Sequence, residues 1–278
     1  MITVVLGLTA AIFYGIGDFA GGIASRRHTA ITVLLFSYPV GAVLMAIMLP
    51  FFGGHNDLHA TVYGIAGGAA GLVGVVLMYS LMTVAPINII SPVTAVLAAI
   101  VPVVVGVGLG ERPHLSAWFG ILLGLGAVVL VSRTTDDHPH GRVGLRIIAL
   151  ALVSGVGFGM YFVFLARAGD GTGLWPLVIS RFSSAALIVP LAAARRGFAL
   201  VRGKMLGVVL LAGACDALAN MCFLLASRHG LLSLASVLTS LYPATTVILA
   251  GWLLREHTST TQRLGLALAG GSIVLITV

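Results

Sequence analysis

Three ionisable side chains stand inside long apolar runs of this 278-residue chain: Asp18, within Phe13-Tyr14-Gly15-Ile16-Gly17-Asp18-Phe19, then Arg181 and Asp216. A charge at the centre of a membrane span costs at least ~2.5–3.5 kcal/mol on insertion scales, so each needs a partner or a watery cavity. For Asp18 the chemistry would be uptake and release of a proton or cation. The structural alternative is an aspartate bonded to Arg or backbone, or one solvated near the interface. Arg181 would pair with an acid or hold a substrate carboxylate in its planar fork. Asp216 and Asn220, four residues apart, share a helix face and read as a polar strip toward a cavity, with interhelical glue as the alternative. Tyr14 lies one turn before Asp18. With Tyr79, Tyr161 and Tyr242 it supplies stacking faces and hydroxyls suited to a cationic or zwitterionic organic substrate.

Enzyme chemistry fits these residues less well. Gly15-Ile16-Gly17-Asp18 matches the GxGD tetrapeptide of intramembrane aspartyl proteases, whose reaction needs two aspartates sharing a proton, and Asp216 could serve as the second. The pattern, however, lies in the first apolar run with its candidate partner about 200 residues later, whereas in those proteases the motif follows its partner in a nearby span. All eight histidines fall in polar breaks or at run ends, which argues against an intramembrane serine protease or a histidine-ligated metal within the bilayer. Gly-x-Gly-x-x-Gly and Walker-type patterns in a soluble setting are absent, which excludes ATP hydrolysis. No cofactor and no metal is expected.

The elements that must position these residues follow from composition. Charged residues make up 8 % of the chain and apolar residues 59 %, with a mean hydropathy of +1.12. No soluble surface can be built from that, and a span takes about 20 apolar residues. Apolar runs between polar breaks place ten spans near 2–24, 30–51, 60–82, 86–109, 115–132, 144–166, 174–194, 205–227, 231–254 and 261–278. The first is too long for a cleaved signal peptide and lacks a basic leader. Short breaks make consecutive helices antiparallel neighbours. The longest polar stretch, Arg133 to Arg142, falls near the midpoint and divides the chain into a first five-helix repeat (1–132), a linker (133–143) and a second repeat (144–278). Pro86, Pro92 and Pro102 in span 4 and Pro243 in span 9 are candidate helix breakers.

Sliding the sequence on itself by 145 residues supports the division. Glu111 falls on Glu256, Gly120 on Gly265, Gly126 on Gly271, Gly68 on Gly213 and Ser91 on Ser236. Halves with an odd number of spans must insert in opposite senses. The expected fold is therefore an all-α integral membrane protein of ten transmembrane helices in two inverted repeats, with the substrate near midplane between them. Glu111 and Glu256 are expected at helix ends, within reach of headgroup water. Eleven Lys and Arg follow the odd-numbered spans and three (Arg112, Arg167, Arg228) follow the even ones, a bias that puts the first set in the cytoplasm and both termini outside. The net charge of +7 is scattered singly and in pairs, which suits an anionic lipid surface and not nucleic acid. Cys215 and Cys222 lie about 10 Å apart along one helix, too far for a disulfide.

Trp175-Pro176 followed by Arg181-Phe182, Tyr242-Pro243, and Glu256 with Gly265 after it, together with a weaker first copy through Glu111 and Gly120, resemble the EamA branch of the drug/metabolite transporter superfamily. The first half departs from the pattern, with Phe36-Ser37-Tyr38 in place of Arg181-Phe182 and Ala98 in place of Pro243. The resemblance implies a ten-helix secondary transporter of small metabolites, amino acids or drug-like compounds, often working outward, with both termini in the cytoplasm. Asp18 sits in span 1, similar to the membrane-embedded acid of the small multidrug-resistance relatives, which is a glutamate there. The combined expectation is a multi-pass protein of the inner (plasma) membrane, a monomer or weak homodimer. It would export a small organic substrate in exchange for protons. The alternatives are uptake, passive facilitation or lipid flipping by the same fold.

Overall fold

A computed structural model describes residues 1–25, 27–82, 87–132, 144–194, 200–253 and 258–278, without the side chains of residues 79, 82, 87–89, 91 and 92. Every regular element among the described residues is a helix: α1 (Ile2–Ser25), α2 (Ala30–Phe52), α3 (Leu58–Met82), α4 (Ile87–Gly108), α5 (Leu115–Val131), α6 (Leu145–Ala166), α7 (Trp175–Ala194), α8 (Lys204–Arg228), α9 (Leu232–Thr239), α10 (Tyr242–Leu253) and α11 (Thr260–Thr277). Among the described residues seven stretches are long and apolar enough to cross a membrane, counting Leu232–Leu253 as one, and Val93–Gly108 and Leu115–Val131 are shorter apolar helices. The outward faces carry residues such as Val5, Val43, Leu122 and Phe182, while small residues turn inward, as lipid requires.

Helix starts are written locally. The Thr29 hydroxyl accepts from Thr32 N at 3.3 Å, Asp57 Oδ1 accepts from Ala60 N at 2.6 Å, and Ser259 with Gln262 forms a capping box on α11. The apolar run near 231–254 is one span in length but two helices in structure. The regular α-helical pattern lapses at Ser240-Leu241, where tighter three-residue bonds carry the chain across (Leu241 N to Leu238 O at 3.3 Å, Ala244 N to Leu241 O at 2.9 Å), beside Pro243, which has no N–H to continue the ladder. In span 4, by contrast, α4 runs unbroken from Ile87 to Gly108 through Pro92 and Pro102, so the expectation of breaks there is corrected. A proline inside a helix loses one hydrogen bond and can bend the helix without ending it. Pro86, Glu256 and the 133–143 stretch lie outside the described residues.

Helix packing runs through glycine. α1 lies antiparallel to α8 and α3 antiparallel to α6; α2 lies parallel to α8 and α3 parallel to α7; α4 lies parallel to α6, and α9–α10 parallel to α1. α5 packs on α11, and α2 on α7. At Gly68 a Cβ would collide with Ser180 and Ser183 of α7, and at Gly213 with the Ser37 backbone of α2. Gly120 sits against Ser272 and Ile276 of α11, and Gly265 against Leu130 and Val131 of α5. These contacts place Met1, the 53–57 segment, the 109–114 segment, the 167–174 segment and Val278 on one face, called the terminal face below.

Gly213→Val is expected to push α8 off α2 and lower stability by about 1–3 kcal/mol. Gly207→Val, where a Cβ meets open space, should leave stability unchanged. Thermal unfolding of the purified variants in detergent checks the difference.

Candidate functional site

A cavity of about 140 Å³ lies between the halves, lined by Tyr14, Asp18, Tyr38, Tyr161, Arg181, Asp216, Asn220 and Tyr242 among others. A single water needs roughly 10–15 Å³ on that scale, so the space holds on the order of ten waters or one small organic molecule. Its lining runs from Asn220 and Tyr242 in the middle of the bundle to Gly21, Val33, Leu34, Val75 and Met78. That is the end where α1 and α3 finish and α2 begins. The opposite end is filled by Met45, Leu165, Leu174, Leu177, Phe223 and Leu224, with Leu6, Met48 and Leu49 packed against them. The cavity therefore faces away from the terminal face.

Its floor is a hydrogen-bonded chain across three helices. The Tyr14 hydroxyl of α1 donates to Asn220 Oδ1 at 2.5 Å, and Asn220 Nδ2 donates to the Asp216 main-chain oxygen at 2.6 Å and to Asp216 Oδ1 at 3.4 Å. Arg181 of α7 completes the chain, with Nη1 2.5 Å from Asp216 Oδ2 and Nη2 donating to the Asp216 main-chain oxygen at 3.4 Å. The four-residue spacing of Asp216 and Asn220 thus lets one residue orient the other. The Arg181 side chain is 7 % exposed and that of Asp216 37 %, so the arginine is the buried member and the aspartate the one that meets the cavity. Of the two roles considered for Arg181, the ion pair is present. The Tyr161 hydroxyl is buried beside it, within hydrogen-bonding reach of Arg181 and Ser180.

Asp18 is different. It is exposed, lines the same cavity, and makes no hydrogen bond or ion pair with the described residues. An exposed carboxylate two-thirds of the way along an apolar span is exposed to the cavity, since hydrocarbon would not solvate it. Aromatic rings surround the floor. Tyr14 meets Phe162 edge-on at 6.1 Å and Tyr242 at 6.0 Å, and Tyr161 meets Phe162 at 5.9 Å. The structure thus brings Asp18, Tyr14, Tyr161, Arg181, Asp216, Asn220 and Tyr242 to one cavity; the Tyr79 side chain lies outside the described residues. Tyr38, whose ring centroid is 5.8 Å from the Arg181 guanidinium carbon, was passed over by sequence reasoning, since one tyrosine in an apolar run gives no sign of which residue it faces. Ser180 and Ser184, four apart beside Arg181, are also in the wall, their hydroxyls donating to the main-chain oxygens of Leu177 and Gly68 at 2.9 Å.

Glu111 corrects an expectation. Its carboxylate is not left to headgroup water: Oε1 accepts from Leu232 N at 2.5 Å and Oε2 from Ser233 N at 3.0 Å, which satisfies two free amides at the start of α9.

A bundle of apolar helices thus encloses a largely apolar cavity with a polar floor, an arrangement suited to passing a small molecule across a membrane. The profile of the EamA-like transporter family matches residues 1–133 and again 145–278, so the chain belongs to that family and is a multi-pass membrane transporter, not an enzyme. The protease alternative falls with it. A solved crystal structure described only as that of a protein superposes with a TM-score of 0.85 over 99 % of this chain and 96 % of the other, at 18 % identity, which shows a shared fold. No curated protein matches the chain significantly.

Breaking the ion pair should cost unequally. Asp216→Asn strands a buried guanidinium and is expected to destabilise by about 3 kcal/mol or more. Arg181→Gln leaves an aspartate that cavity water can reach and should cost clearly less. Unfolding of both variants in one detergent gives the order.

Proposed function

We propose that the protein is a secondary active exporter of a small cationic, zwitterionic or amino-acid-like molecule, working by alternating access and exchanging its substrate for protons at Asp18. The observation that carries this reading is the uncompensated, exposed carboxylate of Asp18 in a cavity that opens on one side only. Asp216 and Arg181 cancel each other's charge, so an ionised Asp18 leaves the cavity with one net negative charge for either a proton or a substrate cation to meet. Tyr14, Tyr161 and Tyr242 would supply stacking faces, with Tyr79 expected beside them, and Asp216 and Asn220 polar contacts.

Two inverted five-helix repeats, 1–132 and 144–278 joined by 133–143, would supply the two states. Packing supports this: adding five to each span number, with α9–α10 as span 9 and α11 as span 10, turns α1–α8 into α6–α3, α2–α8 into α7–α3, and α4–α6 into α9–α10 with α1. Each mate exists with the same relative direction. Exchange of halves that maps contacts onto contacts is the signature of a two-fold, and an odd span count makes it an inversion. Both walls of the cavity come from one chain, so a monomer suffices, in the inner (plasma) membrane among its lipids. The eleven-to-three bias in basic residues supports a cytoplasmic open face, from which an exporter would load.

In liposomes holding purified protein, a proton gradient is expected to drive uptake of a transported amine or amino acid. Asp18→Asn should abolish that driven flux while substrate-for-substrate exchange survives; driven flux that persists in Asp18→Asn defeats the coupling. A single cysteine at position 138 is expected to react from the cytoplasmic side alone, and labelling only from outside would reverse the orientation.

A further inference from the structure

We infer that Glu111 is a releasable latch: its carboxylate holds the half-helix α9 in place and so keeps the terminal face shut while the cavity is open on the other side. The inference rests on the alternating-access reading and adds the residue that must let go. Glu111 belongs to the segment between α4 and α5, in the first half, and both amides it accepts from belong to the second half. Hydrogen bonds from helix N-terminal amides to an ionised carboxylate are the strong kind, because the helix dipole adds to them. They have further support. Glu111 N donates to Gly106 O at 2.9 Å, and a Cβ at Gly106 would collide with the Glu111 carboxylate, so the side chain is held against the end of α4.

What Glu111 holds is suited to move. α9 is eight residues long, is joined to α10 at Ser240-Leu241 by a tight turn and not by continuous α-helix, and is parallel to α1 and packed on α4. Nearly all of it is buried, from Leu232 to Thr239, and Leu232 is part of the apolar plug that closes the terminal face. The hydroxyls of Ser233 and Thr239 are buried without partners, so this helix carries polar groups that its present setting leaves unsatisfied. Opening the terminal face means parting Leu232 from Met45, Leu174 and Leu177, and α9 cannot leave with Glu111 still bonded to its first two amides. Among the described residues, a second polar tie between the halves at that face is main chain to main chain, His55 N donating to Gly171 O at 3.2 Å, while Arg228 Nη2 donates to Thr172 Oγ1 at 2.9 Å within the second half.

Accessibility in purified protein tests this without knowledge of the substrate. With Cys215 and Cys222 replaced by alanine, one reporter cysteine is placed in the plug (Met45→Cys) and, in a separate protein, one in the open cavity wall (Met78→Cys), and each is labelled in nanodiscs with a polar maleimide. Glu111→Ala is expected to raise the labelling rate at position 45 about tenfold, the factor equivalent to about 1.4 kcal/mol, and to lower it at position 78. Glu111→Gln, which keeps one acceptor and loses the charge, should shift both in the same directions by less. An unchanged rate at position 45 overturns the latch. So does a rise at both positions together, which is what simple loss of stability would give. Because labelling and not flux is read, either outcome leaves the transport proposal standing, and proton-driven flux that persists in Asp18→Asn, which defeats the coupling, leaves the latch untouched.

Discussion

The organising constraint is that a guanidinium cannot sit in hydrocarbon alone. Arg181 is nine-tenths buried on α7, and Asp216 on α8 is what makes that burial tolerable. Satisfying the pair fixes much else. α7 and α8 must both reach the middle of the bundle, and they do so through α2, which packs on each of them. α2 approaches α8 closely where Gly213 faces the Ser37 backbone and Gly41 faces Ala217. The same aspartate orients Asn220 through its main-chain oxygen, and Asn220 in turn receives the Tyr14 hydroxyl, so that the chain of bonds fixes α1 as well. One buried charge thus sets the positions of four helices, and the cavity is the space they leave above the polar floor.

That floor divides the bundle into unequal ends. On the terminal side the helices meet over Met45, Leu174, Leu177 and Phe223, side chains large enough to exclude water. On the other side Gly21, Val33, Leu34 and Val75 leave room. Helix pairs recur when the spans of the two family matches are exchanged, α1 on α8 with α3 on α6 and α2 on α8 with α3 on α7. On the alternating-access reading proposed above, either end would close at similar cost, and small differential interactions would decide which is shut. Glycine interfaces fit this. A contact between Gly68 and Ser180, or Gly213 and Ser37, is made of backbone and small side chains, with no interlocked large ones to part.

The spans were legible because hydrocarbon imposes length and composition so strictly: helix ends whose flanking residues are described agree with the apolar runs to within two residues. The break inside span 9 was legible from Pro243, while the continuity of α4 was not. The same residue type gives a break or an unbroken helix according to whether neighbouring groups take up the freed carbonyl, and that is tertiary information. In the site, charge in an apolar run was signal enough for Asp18, Arg181 and Asp216. Which of them pair was not, since both aspartates lie far from Arg181 in sequence and only the packing of α7 on one side and α8 on the other selects Asp216.

Glu111 marks the boundary of what composition can say. By hydropathy it is one more acid at the end of a span, indistinguishable from a solvated residue, and its repetition at 256 gives it no role. Its partners are main-chain amides, which carry no residue identity, so no pattern in Leu232 or Ser233 announces them. The need was nevertheless present in the sequence in another form. A span broken at Tyr242-Pro243 yields a half-helix too short to be stable alone, and every helix start leaves free N–H groups that lipid cannot satisfy. A half-helix beginning at Leu232 with no Ser, Thr, Asp or Asn before it in Gly230-Leu231 must find its acceptor elsewhere. The physical requirement for a distant carboxylate can thus be read one step before its identity, and the fold supplies that identity by bringing the α4–α5 segment over the start of α9.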